Sequence, residues 1–187
     1  IFSGHLASPS FTFETGIKEL DIQNIKFQDV TLQLQAQDIV AKPKGQIDIA
    51  AASDLGPLTL TAKLSKEENT RFSIPELQIS LGSFHAGGGL SIADDGLMAG
   101  DIALTTKSND KNIQGSSGFM EGTIRLMPDG PKQAVVTDLQ LADLSIAEQL
   151  TLKFGEVSST ILIDQGQPHI SAKIRLSDLA HPYLQAN

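Results

Sequence analysis

The chain has 187 residues, no cysteine and a formal net charge of −8 at pH 7. A hydrophobic fraction of 40% and a charged fraction of 19% are typical of a folded protein rather than a disordered one. The acidic balance excludes nucleic acid as an electrostatic partner and argues against anionic headgroups, because both need a surplus of Lys and Arg. The absence of cysteine excludes disulfides and thiolate chemistry.

The first residues predict a piece of a larger protein. The chain begins at Ile1 without an initiator Met, and residues 1–4 lack the charged, apolar and cleavage regions of a signal peptide. No apolar run approaches the roughly 18 residues of a membrane span. We therefore expect residues 1–187 to be one β-rich segment, with any anchor or signal outside it.

Apolar and polar residues alternate from one end of the chain to the other. Because successive strand residues point to opposite faces, this alternation predicts sheets with one apolar face and one wet face. Gly, Pro and Asp clusters separate the runs, which predicts hairpins and an antiparallel meander. The clearest alternating runs are 11–13, 31–35, 58–61, 77–81, 160–163 and 170–176, and the turn clusters are 43–45, 54–57, 93–96, 128–131 and 164–168.

Three segments depart from this alternation. The polar stretch 106–118 is predicted to be a mobile loop. Ser145 and Glu148 fit a capping box, which predicts a short helix or a bulge over 145–150. A further helical turn is expected over 177–182. Lysines at 42, 44, 63 and 66 are interpreted as ordinary strand-end charges.

Two internal echoes suggest repeated hairpins. Residues 19–32 are echoed by 138–146, which residues 150–152 follow one position out of step. A Gly-x-apolar-x-apolar pattern begins at Gly45 and Gly122, and in a shifted form at Gly89, at expected strand starts. Recurring hairpins of similar build are what an elongated sheet needs. Alternatively, β proteins simply reuse Gly before strands, and the echoes then indicate no repeat. Both interpretations stay open.

No catalytic or metal-binding constellation stands out. The histidines His5, His85, His169 and His181 lack metal-ligand spacing, and no Lys-Ser/Thr pair follows the glycines at 87–89. The sequence therefore predicts a nonenzymatic protein without a metal or cofactor. An enzyme using scattered acids such as Asp48 and Asp101 is the least favoured alternative.

The apolar residue types bear on what the apolar face covers. Leu and Ile dominate, Trp is absent and aromatic residues make up only 5% of the chain. Sandwich cores usually include some large aromatics, whereas a face of branched aliphatics would form a smooth trough for acyl chains. A plain Leu/Ile core of a closed β-sandwich remains the alternative.

Several strings resemble the repeating pattern of TamB and the wider AsmA-like family. In that pattern Gly-x-Leu-x-x-Pro precedes a strand, and short strands with Asp or Asn between Leu and Ile follow. The similar strings here are 3–11, 19–25, 29–34 and 89–104. The likeness extends over most of the chain as a pattern and includes no catalytic motif.

The resemblance implies an elongated antiparallel meander that is curved into an open, taco-like trough with an apolar concave face. It also implies a place in the periplasm of a Gram-negative envelope, with the full-length parent anchored in the inner membrane. Members of the family are implicated in moving phospholipids and in assembling outer-membrane proteins with a TamA-type barrel. That barrel would meet another part of the full-length protein.

We therefore expect a nonenzymatic segment that conducts phospholipid between the inner and outer membranes, or supports outer-membrane protein assembly. Acyl chains would lie against one face of each strand. The alternative is a closed β-sandwich that binds a protein or glycan partner through its loops. The candidates for the lipid-facing groove are Leu32, Leu34, Ile47, Ile49, Leu58, Leu60, Leu64, Leu77, Ile79, Leu81, Ile124, Leu126, Leu150, Leu152, Ile161, Ile163, Ile170 and Ile174.

Overall fold

The computed structural model describes residues 2–3, 9–22, 25–38, 43–66, 70–113, 116–146 and 150–180. Every regular element in these ranges is a β-strand. The strands are β1 (Phe2–Ser3), β2 (Ser10–Ile22), β3 (Ile25–Gln37), β4 (Lys44–Ser53), β5 (Leu58–Ser65), β6 (Thr70–Leu81), β7 (Phe84–Ala93), β8 (Met98–Ile113), β9 (Ser116–Asp129), β10 (Lys132–Ile146), β11 (Leu150–Asp164) and β12 (Gln167–Ala180).

The strands form one open antiparallel sheet in which each strand lies beside the next one in the chain. The expected all-β meander is therefore confirmed. Tight turns occur where the Gly and Asp clusters predicted them: the Gly56 N–H donates to Ser53 O at 3.0 Å, and the Gly96 N–H donates to Ala93 O at 2.9 Å. Lys44 and Gly45, by contrast, already belong to β4 rather than to a turn.

Polar composition misled the sequence analysis at three places. The predicted loop over 106–118 is strand at 106–113 and at 116–118, and residues 114–115 lie outside the described part of the chain. The predicted helix over 145–150 is strand at 145–146 and at 150, with 147–149 outside the description. Residues 177–180 belong to β12, so a helical turn there is wrong. Pairing with neighbouring strands stabilises extended backbone at these positions, although the local sequence favours a loop or a helix.

Backbone proximity divides the chain into two compact units. The amino-terminal unit comprises Ile1–Gly82 and Ala86–Gly100, and the carboxy-terminal unit comprises Ser83–His85 and Asp101–Asn187. The two units are described separately below. The register of β2 to β6 defines the faces of the first, and that of β9 to β12 defines the faces of the second.

A bulge at Asp29 interrupts β3. Gln28 lies opposite Ala52 and Thr31 opposite Ala50, so Asp29 and Val30 together face one residue of β4. Asp29 has a φ of 50°, a left-handed conformation that Asp tolerates better than most residues. The extra residue shifts the alternation by one position, which keeps the apolar residues of β3 on one face both before and after the bulge.

Asp143 forms a bulge of the same kind in β10. Ala142 lies opposite Phe119 and Ser145 opposite Ser117, so Asp143 and Leu144 together face Gly118. Asp143 has a φ of 48°. The two bulges are not equivalent positions of the echo between 19–32 and 138–146, because that echo aligns Asp143 with Asn24 rather than with Asp29.

The sheet has little buried core among its described residues. The chain exposes 12683 Å², whereas a compact protein of 19.9 kDa would expose about 8,700 Å². No described side chain is less than 2% exposed. The buried apolar residues are mostly small or lie beside a bulge, and they are Phe27, Ala51, Ala62, Ala86, Ala134 and Leu152.

Candidate apolar binding faces

Rows of apolar side chains cross the amino-terminal unit on one face. Direct partners in antiparallel strands point to the same side of a sheet, so the register assigns the faces. The first row is Leu32, Ile49, Leu60 and Ile79. The second is Phe13, Leu34, Ile47, Ala62 and Leu77. The third is Ala51, Leu58 and Leu81.

The carboxy-terminal unit has apolar rows of its own. They run across β9, β10, β11 and β12, and a more polar row that contains Thr137 and Ser159 separates the first two. The first row is Leu126, Val135, Ile161 and Ile170. The second is Gly122, Leu139, Val157 and Ile174, and the third is Met120, Leu141, Gly155 and Leu176.

Leu152 is the most deeply buried apolar residue described, at 4% exposure. Its direct partners are Leu144 and Leu179. A Cβ built at Gly155 would lie 2.9 Å from Leu152 Cδ2 and 3.3 Å from Leu176 Cδ2, so these leucine side chains cover the glycine. The bulge at Asp143 allows Leu144, and with it Leu152, to join this apolar face.

The register assigns all but one of the eighteen predicted groove candidates to the apolar faces. Leu64 lies opposite Gly45 at the end of the amino-terminal rows, and Ile163 lies opposite Gln133 and Pro168. The side chain of Leu150 lies outside the described set. Sequence reasoning missed further members of the faces, although 139–141 alternate visibly: Phe13, Met120, Val135, Leu139, Leu141, Leu144, Val157, Leu176 and Leu179.

The apolar faces remain partly open to solvent. The residues of the first and second amino-terminal rows on β3 to β6 are half-buried, apart from Ala62, which is buried. Exposure is greatest on β12, where Ile170 is 69% exposed and Ile174 is 61% exposed. Large apolar side chains with this accessibility favour burial against another apolar surface.

The opposite face of each unit is hydrophilic. Asp48 accepts hydrogen bonds from Gln46 Nε2 at 2.8 Å and from Thr61 Oγ1 at 3.0 Å. Lys63 forms an ion pair with its direct partner Glu76 on β6. In the carboxy-terminal unit, Arg175 Nη1 lies 3.2 Å from Glu156 Oε2. Asp48 thus takes part in a hydrogen-bond network that joins β4 and β5.

Two further ion pairs shift pKa values in the carboxy-terminal unit. A hydrogen bond to Asp101, at 2.7 Å, and the charge of that carboxylate raise the pKa of Arg125. A hydrogen bond to Asp164, at 2.8 Å, and its charge raise the pKa of Lys132. All four side chains are at least one-third exposed, so solvent screening leaves each pair only a small contribution to stability.

Shallow hollows lie mainly on the hydrophilic faces, not on the apolar rows. One, of about 620 Å³, is lined by groups that include Glu121, Asp138 and Glu156 in the carboxy-terminal unit. Another, of about 450 Å³, is lined by groups that include Lys44, Lys63 and Ser65 at one end of the amino-terminal unit.

Two of the four histidines lie in the described part of the chain. His85 is exposed on β7 and His169 is exposed on β12, whereas His5 and His181 fall outside the described residues. Over the described ranges, no group of three or more His, Cys, Asp or Glu residues is arranged to hold a metal ion. The same ranges contain no helix long and apolar enough to cross a membrane.

Comparison with protein-family models, with curated proteins and with solved structures gives no match for this chain.

Proposed function

We propose that this chain is a nonenzymatic periplasmic segment of a TamB/AsmA-like protein, and that its apolar faces conduct phospholipid between the inner and outer membranes of a Gram-negative cell. The full-length parent is anchored in the inner membrane and meets a TamA-type barrel through another part. The observation that carries the proposal is the set of partner rows, such as Leu32, Ile49, Leu60 and Ile79 on neighbouring strands.

Burial of acyl chains on these rows provides the binding energy. Each methylene group removed from water contributes about 0.8 kcal/mol. Because the apolar side chains are themselves half-exposed, a bound chain removes both surfaces from water at once. A row of similar Leu and Ile side chains holds a chain at many equivalent positions, and this favours movement over trapping.

The hydrophilic faces support the same proposal. The network around Asp48 and the ion pair of Lys63 with Glu76 give the reverse side of the amino-terminal unit polar groups that stay hydrated. An acyl chain therefore binds favourably to one face of each unit, while headgroups remain in water beside the apolar rows.

A pair of substitutions on β5 tests lipid conduction. Leu60 belongs to an apolar row, and the adjacent Thr59 pairs with Ser80 on the opposite face. In cells that lack the native copy, the full-length parent with Leu60→Asp should leave the outer membrane permeable, and Thr59→Asp should behave as wild type. The purified chain with Leu60→Asp should lose only about 1 to 2 kcal/mol of stability, because the face is open to water. Unfolding by Leu60→Asp, or equal permeability of both variants, would contradict the proposal.

The outer edge of β12 favours a second role in outer-membrane protein assembly. Among the described residues β12 pairs only with β11, so its outer backbone groups can accept another strand. A photocrosslinking residue at Ile170 should capture unfolded barrel protein in cells, whereas one at the inner position Thr137 should not. Equal capture at both positions would remove this role.

A further inference from the structure

The hollow at the end of the amino-terminal unit lies where three strands begin or end. We call it the rim hollow, and its charged and hydroxyl-bearing lining residues are Lys44, Lys63, Ser65 and Lys66. Lys44 begins β4, and Ser65 ends β5. The Lys66 N–H donates to Pro43 O at 3.2 Å, which ties the end of β5 to the start of β4.

The rim hollow concentrates positive charge in an acidic chain. It gathers three lysines, although the net charge of the whole chain is −8. Lys63 is paired with Glu76, whereas Lys44 and Lys66 form no ion pair with any described residue. The net charge argues against anionic partners only for the chain as a whole, and two unpaired lysines on one hollow create a local exception.

Ser65 adds an unsatisfied polar group to this lining. Its Oγ is buried and has no hydrogen-bond partner among the described residues, which is costly for a hydroxyl. The position of Ser65 follows from a bulge in β6. Lys63 lies opposite Glu76 and Ser65 lies opposite Ser73, so Ile74 and Pro75 together face one residue of β5. An acceptor oxygen among the lysines would satisfy this donor once it displaces the neighbouring groups that cover the hydroxyl.

The rim hollow also lies next to the apolar face. Gly45, which helps to line it, lies opposite Ala36 on β3 and Leu64 on β5. A built Cβ at Gly45 would lie 3.6 Å from Leu64 Cδ1, and 2.9 Å from Gln35 O. The end of the apolar rows and the lysines are therefore adjacent, and the absence of a side chain at Gly45 lets Gln35 O and the Leu64 side chain approach its backbone closely.

We propose that the rim hollow binds a phosphate monoester or diester, with Lys44 and Lys66 as the cationic ligands and the Ser65 hydroxyl as a donor. Resting on the proposed function, the inference assigns this site to the phosphate of a phospholipid headgroup whose acyl chains lie on the adjacent apolar face. Inorganic phosphate shares the recognised chemistry and is the competing source.

Binding to soluble probes tests the site. The probes are a short-chain phosphatidylglycerol below its micelle concentration and inorganic phosphate, each titrated against the purified chain by NMR. The variant Lys44→Gln/Lys66→Gln should weaken phosphatidylglycerol binding about tenfold or more. The control Lys26→Gln, an exposed lysine on β3, should leave it unchanged. Unchanged binding in the double variant would overturn the proposal, and inorganic phosphate binding as tightly as the lipid would overturn the headgroup assignment.

The variant Ser65→Ala gives a second measurement, which distinguishes a phosphate-binding hydroxyl from one with a structural role alone. Removing an unsatisfied buried donor should raise Tm. If the hydroxyl binds phosphate, the same variant should bind phosphatidylglycerol more weakly. A raised Tm with unchanged affinity would exclude Ser65 from the site.

Failure of this site and failure of the proposed function are distinguishable. Loss of the lysine effect, with lipid still captured by a photocrosslinking residue at Leu60, would remove the rim site and keep the apolar path. Retention of the lysine effect without any capture at Leu60 would keep a phosphate site and remove lipid conduction.

Discussion

Gly118 lies directly against Leu144 in the bulge of β10: a Cβ at Gly118 would be 2.7 Å from Leu144 Cα. The backbone of Gly118 also has a φ of +138°, which side-chain-bearing residues rarely adopt. The bulge at Asp29 in β3 also lies opposite a small residue, because Asp29 and Val30 face Ala51, which is 8% exposed. Each bulge thus depends on a small partner in the neighbouring strand.

Gly118→Ala should therefore destabilise the chain by about 1 to 3 kcal/mol, because the added methyl group meets backbone that cannot move aside cheaply. The matched control is Gly16→Ala in β2, where the new Cβ would meet only Val30 O at an ordinary 3.6 Å. Urea unfolding of the two variants gives the comparison. Equal midpoints would show that the bulge tolerates a side chain at Gly118.

Asp143 should tolerate Asn but not Val. Asn adopts left-handed backbone at least as readily as Asp, so Asp143→Asn should change stability by no more than about 0.5 kcal/mol. A β-branched side chain in that conformation costs about 1 to 2 kcal/mol, and Asp143→Val should lose that much. Equal stability of both variants, measured by urea unfolding, would show that the conformation of Asp143 does not matter.

Alternation predicted the strands and most of the apolar faces, but not the bulges. In β3 the apolar residues fall at odd positions up to Phe27 and at even positions from Val30 onward. A period-2 pattern alone would assign these two sets to opposite faces. Only the positive φ of Asp29 and the partner register show that they share one. A sequence pattern does not specify that backbone conformation, because most Asp residues in strands are extended.

Depth of burial should separate the stability costs of truncating Leu152 and Ile174, two apolar residues of the carboxy-terminal unit. Leu152 is 4% exposed and covers Gly155, so Leu152→Ala should cost about 2 to 4 kcal/mol. Ile174 is 61% exposed on β12, so Ile174→Ala should cost under about 1 kcal/mol. Chemical denaturation measures both. A cost at Ile174 that equals the cost at Leu152 would mean that a second layer covers β12 in solution.

The raised pKa of Lys132 in its ion pair with Asp164 should make stability depend on pH in alkali. The carboxylate raises the pKa of Lys132 above its ordinary value of 10.5, so the folded state holds this proton more tightly than the unfolded chain. That contribution is fully present below pH 10.5 and is lost as the pH rises through the higher folded pKa. Lys132→Gln should remove this part of the alkaline decline in the urea midpoint and leave the profile between pH 6 and about 9 parallel to wild type. A difference in slope within that neutral window would contradict the assignment.

The rim hollow could not be predicted from the sequence. Lys44 and Lys66 are far apart along the chain, and each alone is an ordinary charge at a strand end. Their approach depends on the register of β4 and β5 and on the contact of Lys66 with Pro43. The unsatisfied Ser65 hydroxyl depends on the bulge opposite it, which period-2 reasoning does not predict.

The central claim, that one face of the sheet carries acyl chains, is tested most directly by photocrosslinking on neighbouring residues of opposite faces. Leu34 and Leu60 lie in apolar rows, whereas Gln33 pairs with Asp48 and Thr59 pairs with Ser80 on the hydrophilic face. A photocrosslinking residue at Leu34 or Leu60 of the full-length parent should capture phospholipid in living cells, and one at Gln33 or Thr59 should not. Equal capture on both faces, or none at Leu34 and Leu60, would contradict the account.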